Sequence, residues 1–167
     1  MRKARPTLRS AVLLLTLCAL SLTSCDRGGH PARIGAPAPV FTLADGARNV
    51  DLARLRGHIV VLHFWATWCA PCVVEMPSLV ALQRRRPQVT VLAISQDEDP
   101  AVYRQFLLDY HVDLLTLRDP SARIPRLYGT IKIPETYIID SRGILRRKFV
   151  SAQDWTSPEV LDYLSKL

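Results

Sequence analysis

The stretch Phe64-Trp65-Ala66-Thr67-Trp68-Cys69-Ala70-Pro71-Cys72 decides the fold. Just before it, Ile59-Val60-Val61-Leu62-His63 runs into Phe64 and Trp65 as a nearly continuous apolar, β-rich segment, the pattern of a central strand buried on both faces. From about Cys69 the period changes. Val73, Met76 and Val80 recur at three- and four-residue spacing, Arg84-Arg85-Arg86 sits near the C-terminal end of the dipole, and Pro87 is a stop. The two cysteines therefore stand at a strand-to-helix junction, where unpaired backbone N–H groups and the helix dipole stabilise an anion.

That placement gives each cysteine a different expected task. Cys69, at the helix start, is the thiolate candidate, and Pro71 is tolerated because first-turn N–H groups have no helical partner. Cys72, one turn further in, is suited to resolve a mixed disulfide formed at Cys69. A structural disulfide is a poor use of so small a loop. Zinc would need two more ligands, and His30, His58, His63 and His111 form no second cluster at ligand spacing. The expectation is no metal and no cofactor beyond the Cys69/Cys72 dithiol itself.

Outward from this unit the pattern alternates. Val89 to Ser95 reads as a strand, Pro100 to Tyr110 as a helix, Leu114 to Leu117 as a short strand and Ser121 to Tyr128 as a helical turn. Thr136 to Ile139, the turn Asp140-Ser141-Arg142-Gly143 and Ile144 to Val150 predict a hairpin, followed by a terminal helix from Ser157 to Leu167.

The N-terminal end reads as an address. Arg2, Lys3, Arg5 and Arg9 precede the apolar run Ala11 to Leu22, matching the n-region and h-region of a secretory signal. Ser10 to Cys25 gives 16 residues between charges, short of the roughly 20 that a spanning helix requires. Leu22-Thr23-Ser24-Cys25 resembles the bacterial lipobox, in which the Cys is lipidated and becomes the mature N-terminus. Asp26 resembles the inner-membrane retention signal of Gram-negative lipoproteins. The expectation is a signal peptide over 1–24, a tether over 25–33 and one domain over 34–167. Six Gly and Pro residues between 26 and 39 agree with a tether and opening loop. Cys18 would leave with the signal and Cys25 with the lipid, so Cys69 and Cys72 can pair only with each other.

Composition closes off other classes. The chain has 167 residues, enough for one domain plus a tail, and its 22% charged residues disfavour wholesale disorder. The formal charge of +7 falls to about +3 beyond residue 24, too weak for the footprint of a nucleic-acid binder.

The nine residues quoted first, with Glu75-Met76-Pro77 and Ile133-Pro134-Glu135-Thr136-Tyr137-Ile138-Ile139-Asp140, resemble the thioredoxin superfamily, and within it membrane-tethered TlpA/ResA/CcmG-like proteins. The resemblance runs from about Ile34 to Leu167. It implies an α/β, thioredoxin-like fold with an N-terminal β-hairpin extension, opened by Gly35 to Leu43, and a central helix-strand insert around Asp97 to Asp119. It also implies a thiol-disulfide oxidoreductase facing the periplasm or cell exterior. Such a protein is usually a reductant, fed by a transmembrane thiol electron donor. Its client proteins carry cysteine pairs, such as the haem-binding cysteines of apocytochrome c or cysteines of oxidase copper-site assembly.

The other site residues divide as follows. Glu75 lies one turn beyond Cys72 on the same helix face, where partial desolvation would raise its pKa and let it exchange a proton with the thiols. Pro134 resembles the family's cis-proline facing the dithiol, which would turn the Ile133 backbone toward a client chain for strand-like pairing. Trp65 is expected in the core and Trp68 as an exposed client contact, while Pro77 should kink the helix. His63 stands where many relatives carry Asn and is expected to be a satisfied core histidine. Arg84 to Arg86 and Arg146-Arg147-Lys148 are expected to be solvated. A disulfide oxidant or isomerase uses the same residues. A copper-binding assembly chaperone would add His63 as a ligand. The paired cysteines argue against a thiol peroxidase, which would use one peroxidatic Cys with a supporting Arg.

Overall fold

The computed structural model describes residues 32–167. The expected signal peptide, the lipid-attachment residue Cys25, Asp26 and most of the tether lie outside the described residues. Five strands form the central sheet: β3 (Ile59–Trp65), β4 (Val89–Ser95), β5 (Leu115–Arg118), β6 (Glu135–Ile139) and β7 (Leu145–Val150). Their order is β5-β4-β3-β6-β7, with β3, β4 and β5 parallel and β6 and β7 antiparallel to their neighbours. The apolar run that opens the decisive stretch is thus the middle strand, and each of its residues after Ile59 is buried.

Among the described residues the helices are α1 (Ala70–Arg85), α2 (Pro100–Asp109), α3 (Arg123–Leu127) and α4 (Pro158–Ser165), with a short 3-10 turn at Leu52–Leu55. Because side chains alternate across a strand, β3 supplies both cores. Val61 and Trp65 pack with Cys72, Met76 and Leu79 of α1, Phe106 of α2 and Leu164 of α4. Val60, Leu62 and Phe64 face the other way, against the N-terminal hairpin and Ile124 of α3. Both crossovers, through α1 and α2, lie on the first face, as parallel β-α-β units running outward in one direction require. The helix-strand insert is α2 with β5, which adds an edge strand to the sheet.

The stretch from Gly35 to Leu43 leads into the N-terminal hairpin, as expected. Its strands are β1 (Thr42–Asp45) and β2 (Arg48–Asp51), while the segment before them makes only a bridge between Pro37 and Ile144. Pro37 and Pro39 lack the N–H groups that a ladder needs. The turn between Asp45 and Arg48 is Gly46-Ala47, where Gly46 takes φ of +62°, a conformation that glycine adopts without a Cβ clash.

The Arg146-Arg147-Lys148 run is not merely solvated, because β7 carries it past acids and aromatic rings. Arg146 pairs with the buried Asp140 at 2.7 Å and Lys148 with Glu135 at 2.9 Å. Arg147 stacks over Phe149 and Tyr163, its guanidinium carbon 4.3 and 5.1 Å from the ring centroids.

Candidate active site

The sharp turn between β3 and α1 places the cysteines. Cys69 is the N-cap of α1 in an extended conformation, and Pro71 falls in the first turn, where it removes no helical bond. The Val73 N–H bonds back to the Cys69 carbonyl at 3.1 Å, so the sulfur-bearing residue sits at the positive end of the dipole. The pair forms a disulfide with Cα atoms 5.2 Å apart. Cys69 is 6% exposed and Cys72 is wholly enclosed, so an incoming partner meets Cys69.

A carboxylate clasp holds the turn. Asp97, just past β4, accepts from the Thr67 backbone at 3.0 Å and from the Thr67 hydroxyl at 2.6 Å, and it also accepts from Ser95. Trp68 follows the clasped residue and stands 67% exposed beside Cys69. Trp65, as expected, is core.

Glu75 is 2% exposed, one turn beyond Cys72. Burial pushes its carboxyl up to about 7, against the opposing pull of the Trp155 indole and the Gln153 backbone. The indole Nε1 of Trp155 donates to Glu75 Oε1, while Oε2 has no partner of hydrogen-bond geometry among the described residues. Ser78 ties the same turn to this loop, donating to the Glu75 carbonyl at 2.8 Å and accepting from the Trp155 N–H at 3.2 Å. A carboxyl that titrates near neutrality inside the helix carrying the dithiol has the acidity for proton exchange.

The Ile133–Pro134 bond is cis. Ile133, Ile131 and Trp68 line one groove of about 640 Å³ with Cys69, Arg126 and Lys132. The structure therefore brings Trp68, Cys69 and Ile133 to a shared surface, and sets Cys72 and Glu75 beneath it. His63 is buried and only half satisfied: Nδ1 lies 2.8 Å from Thr136 Oγ1, and Nε2 is unpartnered among the described residues. Helix α1 continues through Pro77 to Arg85.

Two supporting residues escaped the sequence reading. Trp155 sits in an irregular loop with no periodicity to mark it, and Asp97 is thirty positions from the Thr67 that it clasps.

A family profile described as AhpC/TSA family matches residues 34–148. The thiol:disulfide interchange protein DsbE of Pseudomonas aeruginosa is 35% identical over 127 residues, 74% of this chain and 69% of that protein. The thiol-disulfide oxidoreductase ResA of Bacillus thuringiensis subsp. konkukian is 28% identical, covering 100% of this chain and 99% of its own. A crystal structure from Chlorobium tepidum, described as a thiol:disulfide interchange protein DsbE, superposes with a TM-score of 0.71 at 28% identity, covering 81% of this chain and 94% of that one.

Proposed function

This chain belongs to the AhpC/TSA family as a thioredoxin-like thiol-disulfide oxidoreductase, and from that premise we propose that it is an exported reductase of client disulfides, anchored to the membrane by lipid on Cys25. The observation that carries this reading is the division of labour over the first two helix turns: Cys69 at the helix start, Cys72 enclosed behind it, and Glu75 buried behind both.

In the reductive cycle the Cys69 thiolate attacks one sulfur of a client disulfide and expels the other as a thiolate. The helix N-terminus favours the anionic attacker. Cys72 then loses its proton and attacks Cys69 Sγ, releasing the reduced client and leaving the Cys69–Cys72 disulfide. Glu75, with a carboxyl near neutrality, takes the Cys72 proton and passes it on. A transmembrane dithiol donor restores the pair by the same exchange in reverse. Trp68 and the Ile133 backbone hold the client across the groove beside Cys69. The clients proposed are apocytochrome c haem-binding cysteines or cysteines of oxidase copper-site assembly, with the inner membrane favoured by Asp26.

Running the same residues backward would make an oxidant, and only the potential of the couple separates the two directions. A copper chaperone draws less support, because the imidazole it needs, His63, is fully enclosed with one nitrogen already engaged by Thr136.

The test is a trap. Full-length Cys72→Ser protein in membranes should accumulate a mixed disulfide between Cys69 and an exported cysteine-pair protein, and Cys69→Ser should not. Equal recovery of partners from both variants would remove the proposal.

A further inference from the structure

All three buried side-chain polar atoms without a partner among the described residues belong to the two elements that meet at the dithiol: His63 Nε2 and Trp65 Nε1 on β3, and Glu75 Oε2 on α1. Buried polar groups are ordinarily paired, so three such atoms on these two elements ask for a reason. The structure is that of the disulfide form, in which neither sulfur carries a proton to donate. Reduction changes that inventory.

His63 and Trp65 stand two residues apart on β3 and so project to one face, the face covered by α1. His63 is opposite Ala93 on β4 and Thr136 on β6, so its polar neighbours on the sheet reduce to the Thr136 hydroxyl. From α1, the groups turned to this interior are Cys72 and the carboxyl of Glu75. With a proton on Nδ1 donated to Thr136 Oγ1, the imidazole presents a bare Nε2 lone pair. Trp65 Nε1 is donor only and cannot take a thiol proton. Glu75 titrates near neutrality and serves proton exchange, whereas enclosure holds His63 down to about 3, neutral throughout the working range.

We infer that His63 Nε2 is the hydrogen-bond acceptor that the Cys72 thiol gains on reduction, making His63 a positioning residue that favours the dithiol form. The inference rests on Cys72 as the resolving thiol, which the trapping experiment tests separately. The balance is that of ordinary exchange. A donor dithiol gives up two electrons and two protons and becomes a disulfide. The Cys69–Cys72 bond breaks. One proton resides on Cys72 Sγ, shared with Nε2, and the second goes to Cys69 or, when Cys69 stays ionised, to Glu75 or solvent.

The experiment is equilibration of the full chain with glutathione redox buffers at several pH values, read by tryptophan fluorescence. A thiol-to-imidazole bond carries the net worth of a modest hydrogen bond, so His63→Leu should shift the equilibrium about three- to tenfold toward the disulfide. The shift should be the same at every pH, since His63 does not titrate there. His63→Gln, which restores an acceptor oxygen, should return within about twofold of the parent. Thr136→Val keeps the side-chain volume and frees the tautomer, and should shift the equilibrium the same way by about twofold or more. It carries the test if His63→Leu fails to fold. A merely structural histidine would lower the melting temperature and leave these equilibria unmoved. An unchanged equilibrium in a folded variant, a shift toward the dithiol, or a shift that varies with pH overturns the inference.

Discussion

The indole of Trp155 donates its N–H to the buried carboxyl of Glu75, joining the loop before α4 to the turn of α1 that follows Cys72. The bond favours the ionised carboxylate, while burial favours the neutral acid and prevails, leaving the group near pH 7.

Removing either partner should therefore move the pH dependence of the thiols. In a pH series of Cys69 alkylation on the reduced protein, Glu75→Gln should lose an inflection near 7. Trp155→Phe, which deletes the bond that lowers the pKa, should move that inflection upward. An unchanged profile in Glu75→Gln would exclude Glu75 as the proton exchanger.

Stability against pH gives a second reading of the same groups in the oxidised protein. Glu75 is raised from 4.5 to about 7, so between those values the native state holds a proton that the unfolded chain has lost, and stability falls as pH rises. His63 is lowered from 6.5 to about 3, so in that window the unfolded chain binds the extra proton and stability rises with pH. Where the windows overlap, the slopes oppose each other. Glu75→Gln should unmask the rising limb below about pH 6.5 and exceed the parent above pH 7 by an amount of order 3 kcal/mol. Urea titrations at four pH values would show it, and a variant curve parallel to the parent's would contradict it.

Asp97→Ala removes the acceptor of the Thr67 N–H and hydroxyl. Loss of about 1–3 kcal/mol is expected from the groups left unpaired. Client reduction should slow as well, because the clasp fixes the turn that presents Trp68 and Cys69. Loss of stability with undiminished turnover would separate the clasp from the chemistry.

Trp68→Ala tests the exposed ring. Its stability should stay within about 0.5 kcal/mol of the parent, as for most surface substitutions. Reduction of a folded client should weaken by more than about 1 kcal/mol, fivefold or more, if the ring is an anchor of the contact. Reduction of a small disulfide, which needs no such contact, should change little.

Much of this architecture was legible because period and punctuation agree locally. β3, α1 and β4 follow from one change of period and one proline, and the cysteine pair then falls at the junction by position alone. The entry from Gly35 leads into the hairpin at Thr42, and Gly46 at positive φ marks the turn that closes it. The half-satisfied state of His63 and the partners of Glu75 depend on strand register and on a distant loop. No local pattern encodes these contacts. Arg147 looks like a solvated cation in sequence, and the strand that sets it beside Phe149, with the arrival of Tyr163 on α4, turns it into a stacked one.

Whether this dithiol gives electrons to clients is decided by the reduction potential of the Cys69/Cys72 couple in the full-length protein. A two-electron transition near the thioredoxin end of the range, about −270 mV, is expected of a reductase. A value near −120 mV, the strongly oxidising end, would mean that the protein introduces disulfides and is not a reductase.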